Sequence, residues 1–120
     1  MPEKRKVPRK KFTAYMRVLD DETEGTIGHL VDIGLRGLQL ETSVPLPIGQ
    51  QYNMHMELTA DVSDKLFMFL TARVKWIKPD EIMPNLYRVG FELAHIEPHD
   101  YEIYPRLLEL YGEGKELPKS

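Results

Sequence analysis

The chain has 120 residues and no cysteine, with 42% hydrophobic and 29% charged residues. That length suits one domain with a modest core, and the missing cysteines exclude disulfides, thiolate metal sites and cysteine nucleophiles. No run approaches the roughly 18 apolar residues of a membrane span, and the basic N-terminus lacks the apolar segment of a secretory signal.

The first segment is a basic arm. Residues 1–11 hold Lys4, Arg5, Lys6, Arg9, Lys10 and Lys11 against Glu3, a balance of +5; the other 109 residues hold ten basic against eighteen acidic side chains, a balance of −8. The arm therefore reads either as a solvated tail or as a grip on something anionic. A long nucleic acid would be repelled by the acidic body, and no aromatic residue interleaves with the basic run, so a small anion fits better.

Strand signals follow. Phe12–Leu19 alternates, with Phe12, Ala14, Met16 and Val18 on one face, and the acidic stretch Asp20–Gly25 makes a turn. Thr26–Ile33 is a second strand. The connection Gly34-Leu35-Arg36-Gly37 leads to Leu38–Thr42, where Leu38 and Leu40 alternate with polar neighbours. A proline-rich loop, Ser43–Gly49, precedes the clear period-two run Tyr52, Met54, Met56, Leu58. Thr59–Lys65 turns the chain into a long strand, Leu66–Ile77, with Leu70, Ala72, Val74 and Trp76 on one parity. Pro79–Asn85 turns it again, and Leu86–Leu93 is the last strand. Gly90 inside it marks a bulge or a close backbone approach.

After Pro98 the period changes. Ile103, Tyr104, Leu107, Leu108 and Tyr111 stand at helical spacing. An interior proline costs about 3 kcal/mol, so the regular helix is expected to begin near Pro105 and to stop at Gly112 and Gly114. The expected organisation is one domain: a flexible basic arm at 1–12, a barrel at 13–97, a helical region at 98–113 and a frayed tail at 114–120. The fold class is mainly β, a six-stranded antiparallel β-barrel with a C-terminal α-helix.

Two motifs bear on function. Arg5-Lys6-Val7-Pro8-Arg9 is an RxxxR spacing, and Asp32-Ile33-Gly34-Leu35-Arg36-Gly37 puts a carboxylate before a glycine-containing turn. Arginine's planar fork clasps phosphate oxygens and matches the O6/N7 edge of guanine, and a carboxylate accepts from guanine N–H groups. The bland alternatives are a basic tail and a turn residue capping its own backbone. His95 and His99 are separated by Pro98 and lack a third ligand, so no metal is expected. His29 and His55 give no ligand signal. Trp76 is a possible stacking residue, but a core position is expected for it. Tyr101, Tyr104 and Tyr111 read as helix-packing residues or as a partner surface. Ser43, Ser63 and Ser120 sit in no nucleophile-like turn, and no catalytic constellation is present.

The order and spacing of these motifs resemble the PilZ domain, a bacterial receptor family for cyclic di-GMP. The resemblance extends through Ala72-Arg73-Val74-Lys75-Trp76, Tyr87-Arg88-Val89-Gly90-Phe91-Glu92 and the C-terminal helix. It implies a six-stranded barrel, a non-enzymatic role and cyclic di-GMP as the ligand, without a cofactor. It also implies an arm ordered by binding, a regulated partner protein in motility, biofilm or polysaccharide export, and a cytoplasmic location without membrane insertion. By that resemblance Arg5 and Arg9 hold the phosphates and a guanine face, Asp32 accepts from a guanine, and Gly37 permits the turn. Gly34 replaces the family's serine. The lost hydroxyl is one hydrogen bond, worth about 0.5–1.5 kcal/mol, or up to roughly tenfold in affinity. Arg36, inside the turn, offers a compensating donor. The alternative is an adaptor of the same fold that has lost the nucleotide and acts by protein–protein contact.

Overall fold

The computed structural model describes residues 16–60 and 62–111. Arg5, Arg9 and the first part of the strand expected at Phe12–Leu19 lie outside the described residues, as does the tail from Gly112.

Alternating apolar positions produce six strands: β1 (Arg17–Asp20), β2 (Thr26–Ile33), β3 (Gly37–Thr42), β4 (Gln51–Glu57), β5 (Phe67–Pro79) and β6 (Tyr87–Ile96). Every pairing is antiparallel, and the sheet closes on itself in the order β1-β2-β3-β6-β5-β4. Closure leaves no unpaired edge. The expected architecture is therefore observed. Leu30, Leu40, Met54, Met56, Met68, Val74 and Val89 fill the interior. Four of the six methionines in the sequence belong to this core, Met16 with the three just named, where an unbranched thioether adapts to the narrow barrel.

The chain leaves β6 through a 3-10 turn, Pro98–Asp100, and enters α1 (Ile103–Tyr111). The helix thus begins two residues before the expected start at Pro105. Proline is accommodated as its third residue because N–H groups of the first turn have no intrahelical acceptor to lose. Ile103, Tyr104 and Leu107 are buried and join the barrel core. Tyr101 is exposed, so the tyrosines of this region do not form one packing face.

The start of β1 has a defined place in the barrel. β1 runs antiparallel to β2 with Arg17 opposite His29, and the N–H of Leu30 donates to the carbonyl of Met16 at 2.9 Å. β1 therefore begins at the end of the barrel at which β2 delivers Asp32 and Ile33.

Candidate functional site: a cleft made by two bulges

A regular strand sends alternate residues to opposite faces, so an extra residue reverses every position after it. β2 contains such an insertion. Leu30 pairs with Leu40, but the next partner of β3, Gln39, faces Asp32, which leaves Val31 as the extra residue. Were the same sequence paired without a bulge, Asp32 would follow Gly28 and Leu30 into the core. With it, Ile33 turns inward and Asp32 turns to the outer face.

β5 repeats the device. Val74 pairs with Phe91 and Trp76 with Gly90, so Lys75 is the extra residue. Met68, Leu70, Ala72 and Val74 are buried on one parity. After Lys75 the parity reverses: Ile77 packs against the core, and Trp76 is 37% exposed. This corrects the expectation of a core tryptophan. A β-carbon built on Gly90 would stand 2.2 Å from the Trp76 ring, so the indole lies directly on the glycine backbone. Of the two alternatives expected at Gly90, the close approach is present there, and the bulge lies opposite it in β5.

The two insertions meet in one row across the sheet, Asp32 beside Gln39, Gln39 beside Gly90, and Gly90 beside Trp76. Three strand spacings separate β2 from β5, roughly 14 Å. Between them lies a cleft of about 360 Å³ whose lining includes Asp32, Gly34, Arg36, Gly37, Lys75 and Trp76. The structure thus brings together the four residues expected from the second motif, Asp32, Gly34, Arg36 and Gly37, and adds Trp76 and Lys75.

Their contacts define what the cleft can do. Asp32 Oδ1 accepts from the N–H of Ile33 at 2.9 Å, the self-capping considered for it, while its carboxylate still borders the cleft. Lys75 Nζ stands 3.5 Å from a Glu92 carboxylate oxygen, both side chains about half exposed, a pair of little net strength. Lys78 Nζ lies 5.5 Å from the centre of the Trp76 ring. The wall therefore offers an aromatic face, a carboxylate and exposed cations, groups that match a base, its N–H edge and a phosphate.

The connection from β2 to β3 is tight. The N–H of Gly34 donates to the carbonyl of Gly37 at 2.8 Å, and the N–H of Leu93 donates to the carbonyl of Arg36 at 2.8 Å. Gly37 was expected to free the turn, but its φ is not left-handed. Its requirement is the neighbouring strand: a β-carbon there would stand 2.1 Å from the carbonyl oxygen of Phe91. Gly34 also avoids positive φ, so its backbone is open to a side chain such as serine.

Tyr104 supplies a contact that sequence reasoning did not assign. Its hydroxyl reaches from α1 to the carbonyl of Gly34 at 2.7 Å and to that of Gly37 at 3.1 Å. Burial pushes the phenol pKa well above its ordinary value, so it stays protonated and donates. The signal was a tyrosine on the buried stripe of a helix, since a buried phenol needs a polar partner.

A second cleft, of about 510 Å³, includes Asp21, Lys65, His95, His99 and Asp100 in its lining. Its carboxylates are already engaged. Asp21 accepts from His55 Nδ1 at 2.6 Å, and Asp100 pairs with Lys65 and accepts from the N–H of Phe69 at 2.8 Å. His55 is buried between Phe67 and Phe69, with ring centres at 5.0 and 5.3 Å. Among the described residues no group of three His, Asp or Glu side chains could hold a metal ion.

Comparison with known families agrees with this geometry: the model of the PilZ domain matches residues 3–110. The chain belongs to the PilZ domain family. No match was found among curated proteins or among solved structures. PilZ domains are in general binding domains that recognise cyclic di-GMP rather than enzymes. Among the described residues no helix is long and apolar enough to cross a membrane.

Proposed function

We propose that this PilZ domain is a cyclic di-GMP receptor whose ligand occupies the cleft between Asp32 and Trp76. The observation that carries this reading is the convergence of two independent strand bulges, which turn a carboxylate and an indole onto the same outer face. One guanine stacks on Trp76 while another presents N–H donors to Asp32. Arg5 and Arg9 close over the nucleotide and clasp its phosphates. Reach permits this: Arg9 precedes Met16 by seven residues, at most about 25 Å of extended chain, and β1 begins at the cleft's end of the barrel. Binding then presents a new surface to a regulated protein, in a bacterial process such as motility, biofilm formation or polysaccharide export.

Trp76 is the single tryptophan of the chain, so its fluorescence reports the cleft directly. Titration with cyclic di-GMP is expected to give saturable quenching, matched by calorimetry. Arg5→Ala, Arg9→Ala and Asp32→Ala each weaken binding by at least about tenfold, since each removes a hydrogen bond to a charged group worth about 1.5–3 kcal/mol. Gly34→Ser strengthens it by up to about tenfold. No heat and no quenching at tens of micromolar ligand sinks the receptor reading. Gly34 favours one second reading, an adaptor without nucleotide, in which a partner binds equally well with and without cyclic di-GMP.

A further inference from the structure

The turn from Gly34 to Gly37 and the helix α1 are 67 to 70 residues apart in sequence, yet one hydroxyl joins them. A nine-residue helix is too short to persist alone in water, where isolated helices need about 12–15 residues. α1 therefore exists because it docks, through Ile103, Tyr104 and Leu107. The same docking places the Tyr104 hydroxyl on two carbonyls of the cleft's rim. A docked helix and a held turn are one structural state.

We propose that Tyr104 couples the cleft to α1, so that a ligand held by this turn tightens the docking of the helix, and the helix carries the signal to the surface. Any ligand that prefers the held turn stabilises the docked helix by the same factor that docking improves its binding. Tyr104 touches no ligand; it is a positioning residue. The coupling rests on the receptor reading for its ligand, but the link between turn and helix exists without one.

The test is residue-resolved amide exchange on the full chain, with and without cyclic di-GMP, in the unmodified protein, Tyr104→Phe and Leu107→Ala. Without ligand, Tyr104→Phe is expected to speed exchange at the N–H groups of Gly34 and Leu93. The N–H of Glu24, which donates to the Asp20 carbonyl at 2.8 Å in another turn, should be unchanged. With ligand, amides of Leu107 to Tyr111 gain protection in the unmodified chain and not in Tyr104→Phe, whose affinity falls about tenfold. Leu107→Ala, which loosens the helix without touching the turn, lowers affinity in the same way. A Tyr104→Phe protein that binds with unchanged affinity and still protects the helix overturns the proposal, as does a loosened helix in Leu107→Ala with unaltered binding. Failure of the unmodified chain to bind overturns both the receptor reading and the signal. Ligand-free exchange separates these cases, because uniform exchange at Gly34 and Leu93 rejects the turn–helix link alone.

Discussion

The β4–β5 ladder and the β2-β3-β6-β5 wall are built from similar strands and differ in regularity. Between β4 and β5 seven consecutive pairs run from Gln51 opposite Arg73 to Glu57 opposite Phe67 without interruption. Met54 and Met56 face inward there, as period two requires. Even His55, on the outer parity, is covered by Phe67 and Phe69 rather than drawn into the core. The other wall carries extra residues at Val31 and Lys75, and its outer face holds the candidate cleft. Regular pairing stabilises the barrel; broken pairing aims side chains at a ligand.

The largest effect should come from erasing a bulge. Deleting Val74 lets β5 alternate without a bulge, which moves Lys75 into the buried place of Val74 while Trp76 stays outward opposite Gly90. Loss of cooperative thermal unfolding, or destabilisation above about 4 kcal/mol, is expected. A variant that melts like the parent would show that the bulge does not keep Lys75 out of the core. Next is the regular ladder, where Met54→Ala should cost about 2–5 kcal/mol in denaturant unfolding, through the cavity it leaves. Its cleft is untouched, so any surviving folded protein should keep its tryptophan emission maximum.

The smallest effect concerns the turn that joins β5 to β6. Asp80 Oδ2 accepts from the N–H groups of Met83 at 2.7 Å and Ile82 at 3.1 Å. The N–H of Met83 foremost, then that of Ile82 and the nearby Arg88 guanidinium, hold the carboxyl below its ordinary value of 3.8. A lowered folded pKa means stability that is present above 3.8 and lost as pH falls through the lower folded value. Asp80→Asn should therefore flatten part of the acid limb of stability, measured by thermal melts below pH 4, and leave neutral pH binding unchanged. An identical acid limb would show that this cap contributes nothing to the turn.

The candidate site was legible unevenly. Asp32, Gly34, Arg36 and Gly37 are contiguous in sequence, and their turn brings them to the cleft as a unit. Trp76 was placed in the core because alternation from Leu70 puts it there, and no local feature of Ala72-Arg73-Val74-Lys75-Trp76 announces an inserted residue. Gly90 hinted at the event from the opposite strand. Tyr104 showed only that it belonged to a buried helical stripe.

The sequence by itself determined the alternation that makes six strands, the turns set by proline, glycine and aspartate, the late switch to helical spacing, and the family. These depend on neighbours along the chain, where period and turn chemistry act directly. Only the tertiary structure decided that Val31 and Lys75 are the inserted residues beside the cleft, that Trp76 lies on Gly90, and that Tyr104 holds the Gly34–Gly37 turn. Each of those depends on which strand or helix lies opposite. A bulge is defined by its partner's register, a close approach by its partner's backbone, and a hydroxyl's role by the carbonyl it meets across about 70 residues of chain.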